Sequence, residues 1–371
     1  MPEKSLSRRS IIIISLILAV VCAYLAYEAK NYTLDDALIY YRYIENAIEG
    51  NGLVYNAGEK FNGLTSPFYT YISLIAAFIF RDIPATQTVM SALFLFLASF
   101  TALKILNREK LSAAIVMIPP LMIVSARFFY LTFGMETPLF MFLAMLNLYL
   151  FMRKKYFLLG IFAGIMFLTR GESLFLILSL LIFYWIRHKK LPDWKIFIIP
   201  VLLVLGNYTF NYFYYGDFLP HTLSAKIQQG GSGLWRTWPF FRVKHIIIDE
   251  PWSIYGSFSV YLFPLLVLIS IIGVFFNFTK SLPVRILSIF LVFYTLFYSI
   301  LQVPAYPWYY TIYYLCAMIF AGYGLNSIYN FFKKGLPGTE TIGKWATAFF
   351  FLILFIPLFT YSFMTLEEER G

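Results

Sequence analysis

The chain has 371 residues, 60% of them hydrophobic and 13% charged, with a formal net charge of +10 and a mean hydropathy of +0.72. A soluble globular chain carries roughly 25% charged residues, so this composition excludes an ordinary water-soluble domain. The basic residues sit in short clusters between apolar runs, as in the cytoplasmic loops of membrane proteins, which excludes a nucleic-acid-binding patch.

Apolar runs of membrane-crossing length recur from end to end and predict an all-α polytopic membrane protein. The spans are 11–27, 84–104, 111–128, 135–152, 156–169, 171–187, 194–214, 258–278, 286–303, 308–330 and 345–363. The N-terminal KSLSRRS and the run after it resemble a signal peptide, but no small-residue cleavage site follows and the run is long enough to span. It is therefore the first helix. Cys22 and Cys316 fall inside apolar segments, which argues against a structural disulfide.

Basic clusters precede residue 11 and recur at 104–110, 153–155, 187–190, 280–285 and 333–344. Placing all of them in the cytoplasm requires about eleven crossings, an internal N-terminus and an external LEEERG tail. Residues 67–80, PFYTYISLIAAFIF, must then form an interfacial or re-entrant segment rather than cross. The run 156–169 is equally short but has the basic foot RKK, and is kept as a crossing. Two large exterior loops follow, 28–83 and 215–257.

Most chemistry-bearing residues fall on that exterior side. TLDDALIYYRYIEN, 33–46, opens on Asp35 and Asp36. Helical spacing places Asp35, Ile39 and Arg42 near one face and Asp36, Tyr40 and Tyr43 near another. Capping of an interfacial helix by Thr33 or Asp35 explains one acid but not the pair. FGMETPLF puts Glu136 at a helix start shortly after Arg127, where the helix dipole alone favours an acid. LTRGESLF sets Arg170 and Glu172 in a tight turn, as a structural ion pair or as substrate contacts. YYGDFLPHTLSAKI offers Asp217, His221 and Lys226, of which a lone histidine is more often structural than liganding. PAYPWYYTIYY reads chiefly as an interfacial aromatic belt, with a sugar platform as the sharper alternative. No zinc spacing, phosphate-binding loop, nucleophile elbow or dinucleotide fingerprint occurs.

In this order, DDALIYYRYIENAIEGNGLVYNAGEKFNGLTSPFYT, FGMETPLF, LTRGESLF and YYGDFLPHTLSAKI resemble the GT-C glycosyltransferases, integral enzymes whose sugar donor is a polyprenyl phosphate. The likeness is nearest to the branch containing the mycobacterial terminal arabinofuranosyltransferase and covers roughly residues 10 to 230. It implies a catalytic transmembrane module over 1–230 and variable helices over 231–371, without the large soluble C-terminal domain of the mycobacterial relatives. It also implies a plasma-membrane enzyme with its site on the extracytoplasmic side and a catalytic carboxylate at Asp35 or Asp36.

The chemistry needs a base for the acceptor hydroxyl and cations for the departing phosphate. Asp35 is the expected base, with Asp36 orienting substrate hydroxyls. Arg42, Arg127, Arg170 and Lys226 are the expected phosphate ligands, and Glu136, Glu172, Tyr40 and His221 the expected substrate contacts. The partners are the polyprenyl-phosphate sugar, a glycan, lipid or protein acceptor, and the bilayer, with no nucleic acid. No cofactor is required; a divalent metal stays open because the carboxylates cluster without a DxD spacing. A transporter or flippase of lipid-linked saccharides is the alternative, and it would show repeated halves and charges at mid-membrane rather than at one face.

Overall fold

The computed structural model describes residues 6–234, 254–304, 306–335 and 340–368. Residues 235–253 of the expected loop 215–257, and the last residues of the LEEERG tail, lie outside this set. Among the described residues the regular structure is helical, without strands: α1 (Arg8–Glu28), α2 (Asp35–Ile48), α3 (Pro67–Phe80), α4 (Ile83–Arg108), α5 (Ala113–Val116), α6 (Ile118–Ser125), α7 (Arg127–Tyr130), α8 (Thr137–Met152), α9 (Tyr156–Thr169), α10 (Leu174–His188), α11 (Lys195–Tyr215), α12 (His221–Gly231), α13 (Ser259–Asn277), α14 (Leu282–Leu301), α15 (Pro307–Gly335) and α16 (Glu340–Glu368).

Eight helices among the described residues are long and apolar enough to cross a membrane, and they match eight of the eleven expected spans. The other three, 111–128, 135–152 and 156–169, are present as shorter helices, alongside the expected short helix over Pro67–Phe80. The 111–128 run breaks for a local reason. Pro119 and Pro120 have no N–H to donate to the preceding turn, so the chain restarts as α6 with proline in its first turn. It breaks again at extended Ala126 (φ −84°, ψ 112°) before α7. All eight residues of α6 and most of α8 are buried, as an interior helix that is apolar all round should be. Lipid-facing apolar side chains instead project from the outer helices, Leu16 and Val20 on α1 and Phe275 on α13 among them.

Helix starts follow their local sequence. Ser7 Oγ caps α1, accepting the N–H of Ser10 at 3.0 Å, and Asp82 caps α4, accepting from Ala85 at 2.9 Å. α13 and α15 approach closely because Gly273 and Gly324 face each other's backbone: a Cβ on either would run into a carbonyl, of Phe320 or Ile269. The aromatic run after residue 304 departs from the belt expectation. Tyr309, Tyr310 and Tyr314 are at most 2% exposed, so they form part of the bundle interior rather than an interfacial girdle.

The alternation of helix directions brings the ends carrying Asp35, Glu136, Arg170 and Tyr309 to one pole of the bundle. The ends carrying Lys104 and Arg153 meet at the other pole.

Candidate active site

Asp35 and Asp36 form the first turn of α2, but neither caps it; the capping position is Leu34, which makes no side-chain bond. Asp35 accepts the N–H of Asp36 at 2.9 Å. Both acids sit at the positive end of the helix dipole, which stabilises them there. The two-face reading of this helix holds. Asp35, Ile39 and Arg42 are exposed, while Tyr40 and Tyr43 are buried and Asp36 is half-buried.

One turn beyond Asp36, the Tyr40 hydroxyl donates to Glu136 Oε2 at 2.8 Å and lies 3.2 Å from the Thr65 hydroxyl. The GMETP turn can deliver Glu136 to α2 because Gly134 is left-handed, at φ 83°. A Cβ there would lie 2.8 Å from both the Ala37 side chain and the Tyr41 hydroxyl. Gly134→Ala is therefore expected to destabilise the fold by about 1–3 kcal/mol, seen as a lowered thermal midpoint. It should also separate Tyr40 from Glu136.

The opposite oxygen of Glu136 meets Arg170 Nη1 at 3.2 Å, with both side chains 6% exposed. Arg170 sits in extended backbone between α9 and a single 3-10 turn, and its Nε donates to Glu172 Oε1 at 2.6 Å. The same oxygen accepts from the Tyr298 hydroxyl of α14 at 2.8 Å. Arg170 also lies over the rings of Phe140 and Tyr309, with centroids at 5.7 and 5.5 Å. The structural ion pair expected within LTRGESLF thus forms, and it extends into a buried Glu136–Arg170–Glu172 triad. Burying three charges requires such mutual pairing.

Lys226 of α12 closes the cluster. Its Nζ lies 5.6 Å from the Tyr309 centroid. Burial opposes its charge, but a hydrogen bond with Tyr309 and the charge of Glu172 outweigh burial and hold the ammonium above the ordinary lysine value. Asp36 faces the same space. Burial pushes its carboxyl up, the Asp35 and Glu136 carboxylates push the same way, and Lys226 pulls it down. A raised native value means that the folded protein holds more protons than the unfolded chain, so this group's contribution falls as pH rises through that value. Asp36→Asn should accordingly melt no lower than the parent at neutral pH, and the difference should vanish in acid, below the ordinary carboxylate value. A variant that melts lower at neutral pH would contradict this.

Arg42 and His221 pair away from the cluster. Arg42 is exposed and pairs with Glu45 at 2.8 Å on the outer face of α2. The backbone N–H of Arg127 donates to Ser362 at 2.6 Å, and its guanidinium lies 5.7 Å from the Tyr361 ring centroid, both residues of α16. His221 begins α12, pairs with Asp217 at 3.0 Å and stacks on Phe61, fastening this helix to the coil before α3. Two members of the cluster were absent from the sequence expectations, Tyr298 and the buried Tyr309; the latter was read as part of the belt. Among the described residues no three His, Cys, Asp or Glu side chains are grouped as a metal ion would need.

The bundle is all-α and polytopic, with these acids and their cations gathered at one pole, and a solved membrane protein shares its fold. Among solved structures the chain is similar to ArnT from Cupriavidus metallidurans, determined bound to undecaprenyl phosphate. The TM-score is 0.58 with 12% identity, over 98% of this chain and 78% of that one. No protein-family model and no curated protein sequence matches the chain.

Proposed function

We infer that this protein is a membrane glycosyltransferase that transfers a sugar from a polyprenyl phosphate to an acceptor hydroxyl, with inversion at the anomeric carbon. The observation that carries this reading is the juxtaposition of the Asp35–Asp36 pair with Lys226 and the Glu136–Arg170–Glu172 triad. It occurs at one pole of a fold whose solved neighbour was found with a polyprenyl phosphate.

The acceptor oxygen attacks C1 of the sugar while its proton passes to Asp35, the exposed and reachable member of the pair. The C1–O bond to the lipid phosphate breaks, and its electron pair leaves with that phosphate. A phosphate is a weakly basic leaving group and needs no proton from a general acid. Asp36, half-buried between Glu136 and Lys226, orients a substrate hydroxyl. Lys226 meets the growing negative charge on the phosphate. Arg170 is bracketed by two carboxylates, so its role is to hold Glu136 and Glu172 in place. The order of the motifs favours a donor of the arabinofuranosyl class, a plasma-membrane location and a site on the extracytoplasmic face.

The test uses the protein in lipid nanodiscs with a panel of polyprenyl-phosphate pentoses and hexoses and a mixture of acceptor glycans. The reading predicts release of lipid phosphate together with a product of inverted anomeric configuration for at least one donor. No release from any donor, or a product of retained configuration, would contradict it.

A further inference from the structure

At the pole opposite the Asp35–Asp36 cluster, the start of α1, the last turn of α4 and the end of α8 line an open cavity of about 300 Å³. Four cations line it, Lys104, Arg108, Lys110 and Arg153, together with the side chains of Asn107 and Tyr149. Among the described residues none of the four is ion-paired with a carboxylate. Glu109, the acid within this basic stretch, is turned to another side, where Ser281 donates to its Oε2 at 2.6 Å. Asn107 Oδ1 accepts the N–H of Leu6 at 2.7 Å, which leaves its amide N–H groups as donors.

Basic residues at a cytoplasmic helix end are expected from topology alone. Topology does not require them to converge on one concavity, where like charges in proximity repel one another. An anion resolves that repulsion, and the two guanidinium groups suit the oxygens of a phosphate. The place in the fold points to its source. α4 has 26 residues, about 39 Å of helix, so the cavity and the acid cluster lie at opposite membrane faces. The cavity therefore sits at headgroup depth. Beside it, Ile12, Ile13 and Leu16 project outward from α1 into the space of acyl chains.

We propose that this cavity binds the phosphate headgroup of an anionic phospholipid from the leaflet opposite the Asp35–Asp36 cluster. Basic pockets between transmembrane helices are suited to such headgroups. The proposal does not rest on the glycosyltransferase reading.

The delipidated protein in neutral detergent is titrated with phosphatidylglycerol, phosphatidylcholine or inorganic phosphate, and bound species are counted by native mass spectrometry. Two double variants, all at exposed positions, carry the same loss of charge: Arg108→Gln with Arg153→Gln inside the cavity, and Lys154→Gln with Lys155→Gln beside it. The proposal predicts a retained phosphatidylglycerol adduct on the parent and on the Lys154/Lys155 variant. It predicts binding weakened roughly tenfold or more, about 1.4 kcal/mol, on the Arg108/Arg153 variant. Equal weakening in both variants would reduce the effect to the general charge of that face and overturn the site. Phosphatidylcholine bound as tightly as phosphatidylglycerol, or inorganic phosphate displacing the lipid at equal concentration, would overturn it as well.

Discussion

Asp35→Asn is expected to lower sugar transfer by roughly 10²–10⁴-fold, the contribution of a positioned general base. The substitution keeps shape and removes only the ability to take a proton. Its site is exposed at the first turn of α2, where the carboxylate makes one described hydrogen bond, to the N–H of Asp36. An asparagine oxygen can accept the same bond, so folding and donor binding should persist. The check is a comparison of turnover with donor affinity in the same preparation. Loss of turnover with unchanged affinity is the expected pattern; retention of most activity would remove Asp35 from the mechanism and shift the assignment to Asp36.

The second large effect is structural. Arg170→Met is expected to cost about 3–5 kcal/mol, because it leaves Glu136 and Glu172 as buried acids without their cation. Among their remaining described neighbours, Tyr40 and Tyr298 donate single neutral hydrogen bonds, at 2.8 Å each, and Lys226 acts on Glu172 through its charge alone, so none replaces the paired guanidinium. The measurement is the thermal midpoint of the variant in detergent beside that of Glu136→Gln/Arg170→Met/Glu172→Gln. The triple variant removes all three charges together and should recover much of the lost stability, although not activity. If the single variant were as stable as the parent, the triad would not be the keystone of this pole.

What the sequence made legible follows from what local rules control. The α2 helix, its two faces and the pairing of Arg170 with Glu172 depend on residues within a turn or two of one another, and each can be read from spacing. The membrane class follows from composition, and eight of the spans follow from run length. The break at Pro119–Pro120 had a local signal that the length of the apolar run obscured. The partners from the C-terminal helices were a different matter. Tyr298 lies 126 residues from Glu172, on a helix whose pattern is simply apolar. The tyrosines after residue 304 have the composition of an interfacial belt, and only packing against Arg170 and Lys226 distinguishes Tyr309 from it. Arg42 shows the converse. Its type and position in sequence suited a phosphate site, but its side chain pairs with Glu45 on the outer face of α2. A cation's place along the chain fixes which pole it occupies, while tertiary packing decides whether it joins the cluster.

The most direct test reconstitutes the protein in sealed liposomes carrying a labelled polyprenyl-phosphate sugar, with acceptor supplied on one side, and follows both the covalent state of the label and its leaflet. Cleavage of the sugar–phosphate bond, with the label recovered on the acceptor and the reaction slowed roughly a hundredfold or more in Asp35→Asn, is the result this account predicts. Label that crosses to the other leaflet with its sugar–phosphate bond intact, at the same rate in Asp35→Asn, would contradict it and mark a transporter.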